Sequence, residues 1–196
     1  MKVYFSSSVR TKNYYDENIK KIHHLIGELG YKLTSNFIVK VKPEEFYKRT
    51  PQEAVSFYKK MVKEIKEADI CVFEISLDSS GIGYSINMAL DSGKPVVALH
   101  VPERKPYLLQ MINHSKVQVL EYTPEDLKEV LKDALEIAKD QMDVRFTFFI
   151  TPKISQYLDF IKKKRKIARA TLLRTLIEKE MKKDKEFKGQ ISSTLF

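Results

Sequence analysis

The sequence predicts a doubly wound α/β domain with a parallel sheet, followed by a small basic module of one strand and two helices. Three observations carry this. Strand-like and helix-like segments alternate through the first 140 residues, the strand-like segments are continuously apolar, and the excess positive charge is concentrated beyond residue 140. Strands buried on both faces lose the apolar/polar alternation of a half-exposed sheet, so continuous apolar runs between helices point to a parallel sheet covered on both sides. A chain of 196 residues with 43% apolar content and 31% charged content suits one domain plus an appendage, and excludes wholesale disorder or a fibrous repeat.

In order, KVYFS (residues 2–6) reads as a buried strand. Asp16 to Leu29 carries Ile19, Ile22, Leu25, Ile26 and Leu29 at helical spacing and stops at Gly30. Residues 31–41 are β-rich. Pro51 to Glu67 is helical, with Val55, Tyr58, Val62 and Ile65 on one stripe, and Asp69 to Ile75 is an apolar strand. The turn SLDSSGIGYS opens into the helix YSINMALDSG; KPVVALH (94–100) and residues 116–122 are further strands, and Pro124 to Gln141 is a helix. Cys71, the single cysteine, lies within ICVFEI, where it reads as a small buried hydrophobe. One thiol forms no internal disulfide and no multi-thiolate zinc site, and no metal or cofactor is expected. There is no run of 18 apolar residues, and MKVYFSSSVR lacks the apolar stretch of a signal peptide, so the expected location is the cytoplasm.

Open α/β sheets bind ligands at the carboxyl ends of their strands. Two loops there have phosphate-binding chemistry. Ser6 to Arg10 offers hydroxyls, amides and a guanidinium, and Asp78 to Ser85 enters a helix whose exposed amides and dipole favour an anion. Gly81-Ile82-Gly83 is neither a GxGxxG fingerprint nor part of a GxxxxGK[ST] loop, so turn-forming glycines are an equal reading.

Taken together, KVYFSSSVR and EADICVFEISLDSSGIGYSINMAL resemble the nucleoside 2-deoxyribosyltransferase superfamily, especially its 2'-deoxynucleoside 5'-monophosphate N-glycosidase branch, over about residues 2–122. The resemblance rests on Ser8, Val9 and Arg10 after the first strand, on Ala68-Asp69, on Ser79, Gly81, Gly83 and Tyr84 in the glycine turn, and on Ser115 ahead of Val117 and Val119. It implies a flavodoxin- or Rossmann-like sheet and a nucleotide or nucleoside ligand with Ser8, Val9, Arg10, Ser79, Gly81, Gly83 and Tyr84 in the binding loops. It further implies a homodimer, or a higher even oligomer, in which Ser115 reaches the neighbouring subunit's site. Two positions depart from the family pattern. The glutamate nucleophile that follows the turn's tyrosine is Ser85 here, and the aspartate eight residues before that of the Ala-Asp pair is Met61. A serine without an adjacent base is a poor nucleophile. Asp78 and Glu74 are the carboxylates that could substitute, with an Asx-type turn as the alternative role for Asp78.

Residues 1–140 hold 21 basic and 20 acidic side chains, and residues 141–196 hold 14 and 6. A basic tail on a near-neutral body suggests an anionic partner for the tail. Within it, Arg145 to Ile150 reads as a strand, Thr151-Pro152 as a helix start, Ile154, Leu158 and Ile161 as the stripe of a first helix ending near Lys166, and Leu172, Leu173, Leu176 and Ile177 as the inward face of a second. Residues 143–183 resemble the ribbon-helix-helix DNA-binding family. The resemblance implies a core of Phe146, Phe148 and Ile150, base contacts from Arg145, Thr147 and Phe149, and phosphate contact around Ala168 and Arg169. A pairing module without DNA is the alternative, and residues 184–196 form a tail without pattern. The expectation is therefore a DNA-binding transcriptional regulator with double-stranded DNA as partner and a catalytically degenerate nucleotide-sensing domain, hence not an enzyme. The alternative is an active N-glycosidase or 2-deoxyribosyltransferase with relocated carboxylates.

Overall fold

The first strand, β1 (Lys2–Ser7), is followed by α1 (Lys12–Glu28), the two-residue strand β2 (Lys32–Leu33), two single-turn helices α2 (Phe37–Lys40) and α3 (Pro43–Phe46), and the long helix α4 (Pro51–Glu67). Then come β3 (Ile70–Glu74), α5 (Ser80–Asp91), β4 (Val96–His100), the single turn α6 (Tyr107–Gln110), β5 (Val117–Glu121) and α7 (Leu127–Asp140). The computed structural model describes residues 1–111, 114–142 and 148–185. By its internal contacts the chain divides into two units, Met1–Val144 and Arg145–Phe196.

All pairings in the sheet are parallel, in the order β2-β1-β3-β4-β5. This is the flavodoxin-like order, which reverses between β1 and β3 and opens a crevice there at the carboxyl edge. Side-chain alternation splits the core into two layers. Val3, Phe5, Ile70, Val72, Val97 and Leu99 meet α1 and α7 on one face; Tyr4, Cys71, Phe73, Val96 and Ala98 meet α4 and α5 on the other. Every residue of β3 and β4 is buried, which is why neither strand shows alternation.

Helix ends follow local chemistry. Thr50 and Glu53 form a reciprocal capping box at the start of α4, and Pro51 follows at the first helical position. Ser79 caps α5 by accepting from the Ile82 amide at 3.4 Å, so Gly81 and Gly83 lie in the first helical turn and not in a loop. Gly30, at φ 84°, ends α1 in a conformation that suits only glycine.

Three expectations for this unit need correction. The β-rich stretch 31–41 holds only two strand residues before α2. There the Lys12 ammonium donates to the carbonyls of Ile38, Val39 and Val41 at 2.7–3.1 Å, capping the turn from a distant element. Helix α1 begins at Lys12, four residues before the expected start at Asp16. On α4, only Ile65 of the expected stripe is buried, while Val55 and Tyr58 stand exposed.

In the second unit, α8 (Pro152–Arg165) starts on a Thr151 cap and ends at Lys166 in the left-handed conformation, φ 58°; α9 (Arg169–Met181) follows from Ala168. Of the expected ribbon strand, residues 145–147, including Arg145, Phe146 and Thr147, lie outside the described residues. Phe148 to Ile150 carry no strand, and Phe148, expected in a core, is 53% exposed. Leu158 and Ile161 are buried as expected, but Ile154, Leu176 and Ile177 are not.

Candidate functional site

The site is built where the strand order reverses. Beyond β1, Ser8 turns the chain into α1: its hydroxyl accepts from the Thr11 amide at 3.0 Å and lies 2.6 Å from the Thr11 hydroxyl. Beyond β3, the loop through Asp78 runs into the N-terminus of α5. Arg10 joins the two loops, its guanidinium donating to the Asp78 carbonyl. Between them lies a cavity of about 460 Å³ with three kinds of wall. Ser6, Ser7, Ser8, Arg10, Asp78 and Ser79 form a polar side; Phe37, Phe46, Tyr47 and Phe57 form an aromatic side; Tyr4, Met61 and Ser85 lie deeper. Burial pushes the Tyr4 phenol well above its ordinary pKa, so it stays protonated.

Met61 and Ser85 are apposed across α4 and α5. The Ser85 hydroxyl donates to the Gly81 carbonyl at 3.0 Å and lies 3.4 Å from the Met61 sulfur. These two positions thus share one wall of the cavity without any acid or base on them.

The remaining carboxylates are placed very differently. Asp78 is exposed on the cavity rim. Glu74 is fully buried, and strand parity turns its side chain to the α1/α7 face, away from Ser85. It accepts from the Ser7 hydroxyl at 3.1 Å, from the Ser76 amide at 3.2 Å and from the Ser76 hydroxyl, and the Tyr122 phenol lies at 3.4 Å. Burial is the largest influence on it and holds its carboxyl above the usual range, against the pull of these donors. Glu74 is a structural knot under the site and does not line the cavity.

Of the expected ligand residues, Ser8, Val9, Arg10, Ser79 and Gly81 line this one cavity. Gly83 lines a neighbouring groove with Ile86, Tyr107 and Leu108. Tyr84 points outward, its hydroxyl 2.9 Å from that of Tyr58, and Ser115 lies in an exposed turn. Sequence reasoning missed the aromatic wall, because α2 and α3 fold it into place. Among the described residues no group of three or more His, Cys, Asp or Glu could hold a metal ion. No helix among them is long and apolar enough to cross a membrane.

A parallel sheet with a serine-rich loop, an arginine and a capped helix N-terminus at its switch point defines an α/β domain suited to a phosphorylated ligand. No protein-family model matches the chain. It is 31% identical over 112 residues to a protein of Thermofilum pendens named 2'-deoxynucleoside 5'-phosphate N-hydrolase 1, covering 57% of this chain and 76% of that one. A protein of the same name from Syntrophotalea carbinolica is 30% identical over 137 residues, covering 69% of this chain and 94% of its own. Among solved structures, the CMP N-glycosidase of Clostridium botulinum shares 20% identity over 70% of this chain and 99% of its own, with a TM-score of 0.47. The chain belongs to the 2'-deoxynucleoside 5'-phosphate N-hydrolase family, within the nucleoside 2-deoxyribosyltransferase-like superfamily.

This overturns the expectation of a DNA-binding regulator with an inactive sensing domain: the relatives are named as enzymes that cleave nucleotides. Arg169 is held by Asp159 at 2.5 Å, Phe149 is fully exposed, and Arg145 and Thr147 lie outside the described residues.

Proposed function

We propose that this chain hydrolyses the N-glycosidic bond of a 2'-deoxynucleoside 5'-monophosphate, with Asp78 as the working carboxylate. The observation that carries this reading is that Asp78 is the carboxylate among the residues lining the 460 Å³ cavity, one position before Ser79 and the α5 N-terminus. Ser8, Arg10, Ser79 and the first amides of α5 receive the phosphate, and the wall of Phe37, Phe46, Tyr47 and Phe57 receives the base. Asp78 then attacks the anomeric carbon as the carbon–nitrogen bond breaks, and the base leaves with a proton taken from solvent. Water cleaves the resulting glycosyl ester, restoring the carboxylate and releasing 2-deoxyribose 5-phosphate.

The test is chromatographic detection of free base from each of the four 2'-deoxynucleoside 5'-monophosphates and their ribose counterparts. Release from a deoxynucleotide that Asp78→Ala abolishes is the expected result. Release from none of them sinks the reading. Adding a second free base to the same reaction distinguishes hydrolysis from transfer of the sugar.

A second reading concerns the C-terminal unit, whose exposed Ile154, Tyr157, Phe160, Leu176 and Ile177 are too much apolar surface for two short helices to carry alone. The occupant that fits is the same unit of a second copy, as in the helix pairing of ribbon-helix-helix modules. Sedimentation of the full chain as a dimer, shifted to monomer by Leu176→Glu with Ile177→Glu, is the expected outcome. A monomer before substitution would exclude it.

A further inference from the structure

Behind the aromatic wall lies a second and larger cavity, of about 760 Å³, at the carboxyl end of β2. Thr34, Ser35 and Asn36 line its inner end; Phe37 and Phe46 are shared with the nucleotide cavity. Its walls carry five cations, Lys40, Lys42, Lys48, Arg49 and Lys60, against Glu45, Glu53 and Glu64. Each carboxylate is already engaged: Glu45 pairs with Lys42 at 3.2 Å, Glu64 lies 3.9 Å from Lys60, and Glu53 accepts from the Thr50 amide and hydroxyl at 2.8 and 2.9 Å. Among the described residues Lys40, Lys48 and Arg49 have no carboxylate within ion-pair distance, although Arg49 lies close enough to Glu53 to help hold that carboxyl below its usual range, after the Thr50 hydrogen bonds.

Arg49 is held in a way its charge alone does not explain. Its guanidinium carbon lies 5.2, 4.5 and 4.6 Å from the ring centres of Phe37, Phe46 and Phe57, so three rings fix its plane. One of its terminal nitrogens, Nη1, is buried without a hydrogen-bond acceptor. Nη1 is closed off from solvent, and the charge that Arg49 shares with Lys40 and Lys48 along the cavity wall suits the oxygens of a phosphoryl group.

We propose that this cavity is a second, anion-binding site that takes a small phosphate-bearing molecule, with Arg49, Lys40 and Lys48 as its cations. The site is distinct from the nucleotide cavity and does not depend on any catalytic role for Asp78. Because Phe37 and Phe46 face both cavities, occupancy of one bears on the wall of the other.

The test is calorimetric titration of the full chain with inorganic pyrophosphate at low ionic strength. It is run in an Arg10→Ala background, where the nucleotide cavity has lost its guanidinium, and repeated with Lys40→Ala and Lys48→Ala added. Saturable binding of one pyrophosphate per chain, weakened at least tenfold by the two lysine substitutions and by 0.5 M salt, is the expected result. Both lysines are exposed, so the double substitution leaves the fold intact, and circular dichroism checks that it does. Binding absent from the Arg10→Ala chain, or equally tight with both lysines removed, overturns the proposal. Arg49→Met provides a second arm: it must weaken pyrophosphate at unchanged dichroism, and a variant that folds and binds as before also overturns it.

Discussion

At the scale of single residues, the apposition of Met61 and Ser85 makes a direct experiment possible. Placing carboxylates on both, as Met61→Asp with Ser85→Glu, supplies a nucleophile and a second carboxylate that positions it, the kind of pair glycosidic cleavage uses. The expected outcome is release of base from 2'-deoxynucleoside 5'-monophosphates at least tenfold faster than the unmodified chain; a rate unchanged would mean that the cavity does not hold the sugar against this wall. Asp78→Asn should lower kcat about 100-fold or more with little change in KM, since the carboxylate acts on the transition state and the phosphate loops are untouched. Burial pushes the Cys71 thiol up to about 12. It should therefore resist alkylation at pH 8 in the native chain and react only on unfolding. Much of the site was legible in the sequence, because Ser8, Val9, Arg10, Ser79 and Gly81 sit in two short strings beside two strands. The parity of Glu74 was legible too: it shares a face with Ile70 and Val72, two and four residues before it, which turns it from the Ser85 wall. Phe37, Phe46 and Phe57 were not legible as one wall, since they meet only after two single-turn helices have folded.

At the scale of elements, what the sequence revealed depended on whether an element carries its own boundary signals. Helix α4 spans the expected Pro51 to Glu67, and Thr50, Pro51 and Glu53 mark its start in the local sequence. Replacing Thr50 by Ala removes the cap and should cost about 1 kcal/mol, or about 4 °C in Tm by calorimetry. The stretch 31–41 departs from the strand expected of it because the α2 carbonyls are capped by Lys12 of α1, a contact that no local pattern announces. The stripe on α4 misled for a related reason: apolar spacing predicts a helix well, but which turns of it are covered depends on neighbours. The Thr151-Pro152 start and the break at Lys166 were visible locally, whereas on the inward face expected for α9 Leu172 and Leu173 are only half-buried and Leu176 and Ile177 are exposed.

At the scale of the whole molecule, Glu74 connects elements that are far apart in sequence. Through Ser7, Ser76 and Tyr122 it joins the ends of β1 and β3 to the residue after β5, and Ser76 in turn accepts from the Val101 amide beyond β4 at 3.0 Å. Its folded-state pKa is raised above the ordinary 4.5 by burial. The native state therefore holds this proton more tightly than the unfolded chain. The corresponding stability is fully present below pH 4.5 and is lost as pH rises through the raised value. Glu74→Gln should flatten the fall in Tm as pH rises above 4.5 relative to the unmodified chain, and an identical slope would show that Glu74 carries no such proton. The bridge from Arg10 to the Asp78 carbonyl has a similar reach, across 68 positions of sequence. It makes the loops after β1 and β3 a single jaw, so a ligand entering the cavity between them meets donors whose freedom has already been given up in folding. Weakening that bridge should slow capture and loosen grip together, even for a ligand that loses none of its own contacts.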